Sequence, residues 1–379
     1  MNAFNLKKSV AAVVLAGLSM VGAAASAQTV VGGGATLPQG FYSDLISTEF
    51  STQFAPYVGT GSGTGKTAFV TNNGSLFNAI GSAHYAGSDS ALTQGNLNTY
   101  AATSGGNWGP VIQVPAFATP VLLPYRLASA PATGLDLSDE QVCQVFGVPD
   151  QTWGEVLGNG DTNQVVVVYR TDGSGTTELL ANYLSQACEG WGFQVSNQFS
   201  TVVSGAIGAI PSHWIGVSGS GAMGQAAYLA NVNARIGYLS PDPVFTGSNP
   251  AQVASINGAQ PLASAIQAAL PTPPDVADRA NPLAWVPAYE LPASGYPIFG
   301  TTNLLVNQCY TNSTVEANVK AFVARINALN SEATANLIDQ HNFIKLSSAW
   351  NTVIDSTFLD ATSPLGIGNA TACGTNGRP

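Results

Sequence analysis

Two spacings of apolar side chains alternate along the chain. Phe41, Tyr42, Leu45, Ile46 and Phe50 recur every few positions, which predicts a helix with one buried face. Val319, Phe322, Val323 and Ile326 predict another toward the C-terminal end. Between them, residues 164–169 (Gln-Val-Val-Val-Val-Tyr) read as a buried strand. Residues 176–186 follow as a helix with Leu179, Leu180, Tyr183 and Leu184 on one face. Strands alternating with helices predict an α/β architecture with a largely parallel sheet. Residues 118–124 and 297–306 are extended and apolar, and are read as two strands crossing between domains. Residues 241–297 are dense in Pro and Gly, and Pro271-Thr272-Pro273-Pro274 excludes regular structure, so irregular loops packed on a second domain are expected. The chain shows no internal repeat.

The first residues set the compartment. Lys7 and Lys8 precede an apolar run at 10–25, and Ala25-Ser26-Ala27 gives the small-x-small pattern that signal peptidase reads. Residues 1–27 are therefore read as a signal peptide, with Gln28 opening the exported chain. The run is too short and too rich in Ala, Gly and Ser to span a bilayer, and no Cys follows it to carry a lipid anchor. A periplasmic or secreted protein with no membrane anchor is expected. About 350 residues remain, enough for two domains. Loss of Lys7 and Lys8 takes the formal charge from −10 to −12. Nucleic acid needs clustered Lys and Arg, which this acidic chain lacks. A single small anion held by local donors is still compatible with it.

An oxidising compartment makes disulfides the expected state of Cys143, Cys188, Cys309 and Cys373. Three pairings are possible. Cys143–Cys188 and Cys309–Cys373 are favoured, because each closes a loop inside one candidate domain. No two Cys stand at zinc-ligand spacing.

The candidate chemistry lies in small-residue turns. Gly32-Gly33-Gly34-Ala35-Thr36-Leu37-Pro38 precedes the first helix, with Pro38 suited to its first turn. Gly59 to Thr67 reads Gly-Thr-Gly-Ser-Gly-Thr-Gly-Lys-Thr. Arg170-Thr171-Asp172-Gly173-Ser174-Gly175-Thr176 follows a strand and opens a helix. Such turns aim free N–H groups and the positive end of a helix dipole at one spot, and Ser and Thr hydroxyls add donors. One such turn is as often an ordinary tight turn. Three of one character, one bearing an Arg, point to an anion site. Gly65-Lys66-Thr67 resembles the end of a nucleotide-binding P-loop, but Thr60 stands where that motif needs Gly. Lys66 is then expected to be a solvated helix residue. In a fourth segment, Gly87-Ser88-Asp89-Ser90, Asp89 is either a turn cap or an acceptor for the proton that phosphate carries and sulfate lacks.

At these four segments the chain resembles the phosphate-binding proteins of bacterial phosphate ABC transporters (PstS type) and, more closely, the DING proteins of the same superfamily. Phe54-Ala55-Pro56-Tyr57, Trp108 to Pro115 and Tyr169 to Glu178 carry the DING likeness. It runs in order over nearly the whole mature chain. It departs at Gln28 to Gly32, where DING proteins begin Asp-Ile-Asn-Gly, and at Asp172, where they usually carry Glu. The resemblance implies a two-domain α/β periplasmic-binding-protein fold (type II, Venus flytrap) with two hinge strands. Residues 28–117 and 298–379 would form domain I, and 118–297 domain II. The two would close on one inorganic phosphate, with no cofactor and no metal. Carried over by motif, Thr36 donates by hydroxyl and amide, Leu37 by its amide, and Ser62 by both. Asp89 accepts the phosphate proton. Arg170 pairs with phosphate oxygens, steadied by Asp172. Ser174, Gly175 and Thr176 donate from the helix start, and Ser88 adds a supporting donor. A monomer is expected, with a phosphate ABC transporter permease as the partner a PstS-type protein serves.

Some DING-like proteins are associated with phosphatase activity, so a secreted enzyme with weak phosphomonoesterase activity is the rival reading. Metal-dependent phosphatases need several His and Asp ligands, whereas His84, His213 and His341 are scattered. No G-x-S-x-G elbow surrounds Ser62 or Ser174. Asp89 is the sole evident base for either. A Ser/Thr-rich adhesive surface protein would leave the four anion loops unexplained. Binding without catalysis is the expectation.

Overall fold

In the computed structural model the described residues are 29–246, 252–286 and 288–379. The expected signal peptide lies outside them. The described strands are β1 (Gly32–Gly34), β2 (Val58–Gly59), β3 (Tyr85–Ser88), β4 (Val111–Pro120), β5 (Tyr125–Arg126), β6 (Asp136–Leu137), β7 (Val166–Arg170), β8 (Ile215–Val217), β9 (Arg235–Ile236), β10 (Ser255–Ile256) and β11 (Phe299–Asn307). They build a five-stranded sheet in the order β2-β1-β3-β11-β4, a four-stranded sheet β5-β9-β7-β8 and a small pair β10-β6.

The fold is a two-domain α/β fold, but neither main sheet is all parallel. β1 runs parallel to β2 and β3, whereas β11 runs antiparallel to β3 and β4. In the second sheet β7 is parallel to β8 and β9, and β5 is antiparallel to β9. Alternation of strands and helices did not reveal this, because the antiparallel strands arrive from distant parts of the chain. β4 and β11 pair over their full length, from Phe299 opposite Pro120 to Asn307 opposite Val111, with a bulge at Thr302/Asn303. Past β4 the chain crosses to the second sheet: Leu122 bridges Leu239, and β5 follows.

Each sheet has its own core. Helix α1 (Gln39–Glu49) buries Phe41, Tyr42, Leu45 and Ile46 against Phe54, Tyr85, Phe117 and Phe322. Helix α2 (Ser62–Val70) also flanks the first sheet. Helix α3 (Gly175–Ala187) buries Leu180, Tyr183 and Leu184 in a second core with Phe146, Trp153 and Val167. Helix α4 (Gly219–Gly224) lies beside β7 and β8. Helix α5 (Ser313–Ser331) starts where the Asn312 side chain accepts from the Thr314 and Val315 amides at 2.9 and 3.2 Å, and returns Phe322 to the first core. Each buried aromatic contributes on the order of 2–3 kcal/mol, so truncating Phe322 to Ala costs about 3–5 kcal/mol.

The Pro/Gly-rich region is less irregular than its sequence suggests, since it holds β10 and a helix at Ala263–Ala269. Nor does all of it pack on the second core. Trp285 is fully buried against Trp350 and Phe358 of the first. The Gln113 side chain donates to the Pro282 carbonyl at 2.9 Å. These contacts come from residues distant in the chain, so local composition carries no trace of them.

The disulfides Cys143–Cys188 and Cys309–Cys373 both form, with Cα separations of 5.6 and 5.5 Å. No helix among the described residues is long and apolar enough to cross a membrane.

Candidate anion-binding site

Five strand–turn–helix units place their turns together. β1 leads through Ala35–Leu37 into α1, β2 through Thr60 and Gly61 into α2, and β3, which ends at Ser88, leads through Asp89 to a helix at Gln94–Ser104. From the other sheet, β7 leads into α3 and β8 into α4. Because β1, β2 and β3 are mutually parallel, as are β7 and β8, their C-terminal ends open on one side of each sheet, where α/β folds hold ligands.

The contact between lobes is close enough to require glycine. A Cβ on Gly175 would stand 2.4 Å from the Asp89 Cβ and 2.5 Å from the Ser62 Oγ. Gly61, at φ +86°, lies against the Asp172 carboxylate and the Gly173 carbonyl. The Gly63 amide donates to Gly173 O at 3.0 Å.

Within this nook Arg170 is 3% exposed. Its Nε donates to Asp172 Oδ1 at 2.7 Å, and its Nη2 donates to Asp172 Oδ2. Burial works against ionising Asp172, but the paired guanidinium and the Gly219 amide outweigh it and hold the carboxyl below its ordinary range. The Arg170 Nη1 faces the Ser220 Oγ at 3.4 Å, and that hydroxyl lies 3.0 Å from the Thr36 Oγ1. Thr36 and Arg170 are therefore linked across the lobes through Ser220. Sequence reading missed Ser220. Its signal was present, because Ser218-Gly219-Ser220-Gly221 has the same character as the other turns.

Ser62 is fully buried, and its hydroxyl accepts from the Asp89 amide at 3.0 Å and donates to Asp89 Oδ2 at 3.2 Å. Burial pushes the Asp89 carboxyl up to about 6, against the pull of the Thr302 and Ser62 hydroxyls and of Arg170. Asp89 Oδ1 and Thr176 Oγ1 are buried with no hydrogen-bond partner. The first amides of α3, at Gly175 and Thr176, have no intrahelical acceptor by the geometry of a helix start. Ser174 caps that helix, accepting from the Thr177 amide at 3.2 Å, and keeps its own proton to donate. Leu37 is buried, and its carbonyl accepts from the Ser240 hydroxyl at 2.9 Å.

The structure thus gathers Thr36, Leu37, Ser62, Asp89, Arg170, Asp172, Ser174, Gly175 and Thr176 about one nook. Ser88 plays a different part from the expected extra donor: its hydroxyl proton goes to the Ser90 carbonyl at 2.7 Å, bracing the turn. Lys66 is not solvated as expected. It is 6% exposed, with Nζ donating to the Ala91 carbonyl at 3.0 Å. The arrangement offers many donors and a single cation, with one carboxyl positioned to accept. A small oxyanion that retains a proton matches both halves.

Residues 21–324 match the model of the PBP superfamily domain. A protein named alkaline phosphatase L from Pseudomonas aeruginosa is 40% identical over 98% of this chain and 100% of its own length. A phosphate-binding protein from an unknown prokaryotic organism is 37% identical over 92% of this chain and 99% of its own. Among solved structures, a high affinity periplasmic phosphate-binding protein designated PfluDING, bound with phosphate, superposes with a TM-score of 0.82. It is 36% identical, over 93% of this chain and all of that one. With both domains, both sheets and the converging turns in place, the chain belongs to the PBP superfamily, in its PstS/DING-type branch.

Proposed function

We propose that this protein binds one inorganic phosphate in the nook between its lobes, as an exported solute-binding protein for phosphate uptake or scavenging. The observation that carries this reading is the buried Asp89 carboxyl, packed against Gly175 at the start of α3 and within electrostatic reach of Arg170. A monohydrogen phosphate satisfies both sides, taking hydrogen bonds from Arg170, Thr36, the Ser62 amide, Ser174, Gly175, Thr176 and the Leu37 amide while giving one to Asp89. Asp172 holds the guanidinium flat and aimed. Residues 28–117 with 298–379 act as one lobe and 118–297 as the other, except that the stretch around Trp285 packs on the first, and the strands around 118–124 and 297–306 serve as hinges. Periplasmic or extracellular placement follows from the signal-like N-terminus and the two disulfides. A phosphate ABC transporter permease is the partner to which such a protein would deliver.

A second reading rests on Ser62, whose hydroxyl donates to Asp89 at 3.2 Å, the geometry of a nucleophile beside a base. The alkaline phosphatase name of the 40%-identical relative gives it weight. The binding reading is preferred because Gly175 packs directly onto this pair and leaves little room for an organic leaving group.

One calorimetric titration decides the first reading: saturable binding of one phosphate per chain, with compaction of the molecule and a raised melting temperature. No saturable binding at micromolar protein rejects it. Turnover of p-nitrophenyl phosphate that Ser62→Ala abolishes would establish the second.

A further inference from the structure

Lys66 has no part in the anion site described above, yet it is buried. Its ammonium grips the Ala91 carbonyl at 3.0 Å from the first lobe. Glu178, in the first turn of α3 on the second lobe three residues past Gly175, lies close enough to the Ala91 backbone and the Ser90 side chain for both to favour its ionised form. Ala91 lies two positions beyond Asp89, and Ser88 pins the Ser90 carbonyl across the same turn at 2.7 Å. The turn that carries the Asp89 carboxyl is therefore bonded by Lys66 from one lobe and faced by Glu178 from the other.

We propose that Lys66 and Glu178 form an interlobe clasp on Ala91, a positioning pair that fixes Asp89 and makes closure and oxyanion choice depend on two side chains that do not touch the anion. This rests on the phosphate-binding reading. Glu178 reaches Ala91 only when α3 is docked against the Ser62–Asp89 pair, as Gly175 is here, so the clasp belongs to the closed state. The two charges also sense each other. Burial lowers the Lys66 pKa and Glu178 opposes that; burial raises the Glu178 pKa and Lys66 opposes that. Removing Lys66 alone leaves Asp89 and Glu178 as neighbouring carboxylates with less balancing charge beside an incoming anion. Neutralising Glu178 in that background relieves the excess.

The test titrates phosphate and sulfate into the phosphate-free wild type, Lys66→Met, Glu178→Gln and the double variant. Each single change should weaken phosphate binding, and the double should be weakened less than the product of the two, by a coupling of about fivefold or more. The phosphate-to-sulfate affinity ratio should fall in Glu178→Gln, and its phosphate-induced rise in melting temperature should shrink while its phosphate-free melting point holds. Effects that simply multiply would overturn the clasp. Should Lys66→Met not fold, the isosteric Glu178→Gln decides alone: wild-type affinity and selectivity there would overturn it. A wild type that binds no phosphate would overturn the reading beneath it, and the clasp with it.

Discussion

Gly175, the first residue of α3, lies against Asp89 so closely that a methyl group on it would stand 2.4 Å from the Asp89 Cβ. This contact joins the helix start of one lobe to the carboxyl of the other. Gly175→Ala should therefore oppose closure while leaving each lobe folded. Overpacking of this kind costs about 1–3 kcal/mol, so phosphate affinity should fall roughly 5- to 150-fold. Calorimetry reads the affinity, and a melt without phosphate should match the wild type. Unchanged affinity would mean that the lobes do not close as described.

Arg170→Ala removes the buried cation of the site and leaves Asp172 and Asp89 facing an anion. Truncating one member of a buried charge pair costs roughly 2–5 kcal/mol. Phosphate titration should show a loss of that size. Near wild-type affinity would separate Arg170 from the anion.

Asp89 gives a prediction in pH. Its carboxyl stands at about 6 rather than the ordinary 3.8, chiefly through burial. The folded protein then holds more protons than the unfolded chain. Stability from this group is complete below the unfolded value and is lost as pH rises through the folded one. Asp89→Asn deletes that loss, which amounts to about 3 kcal/mol at most. In phosphate-free protein, the variant's melting temperature should gain on the wild type between pH 4 and 7. A constant difference would show that Asp89 is solvated when no phosphate is bound.

The same substitution tests selectivity. An amide carries no charge to repel a fully ionised oxyanion, so the preference for phosphate over sulfate should narrow in Asp89→Asn. Competition titrations at one pH and ionic strength measure it. An equal ratio in both proteins would leave Asp89 as a turn cap only.

The disulfide Cys143–Cys188 closes a 45-residue separation within the second core. Replacing both with Ser should cost about 2–4 kcal/mol, read by denaturant unfolding. Because the bridge lies away from the anion nook, phosphate affinity should hold at 25 °C.

The chain's own order of residues determined the turns and their chemistry. Gly, Ser and Thr after a strand and before a helix leave amides free for reasons that are local, so the turns that carry Thr36, Ser62 and residues 174–176 were legible before any tertiary contact. The disulfide pairing was legible as well, since each pair closes a loop within one candidate domain. Only the tertiary structure decided what depends on distant neighbours. Lys66 looked solvated because its partners, the Ala91 carbonyl and the Glu178 charge of the other lobe, come from distant parts of the chain. Ser220 joined the site because β8 lies beside β7. Trp285 crossed to the first core because its partners, Trp350 and Phe358, lie more than sixty residues further along the chain. At Asp89 the fold adds burial, which raises a carboxyl's pKa and is a property of packing rather than of local sequence; the choice between cap and proton acceptor belongs to the selectivity measurement.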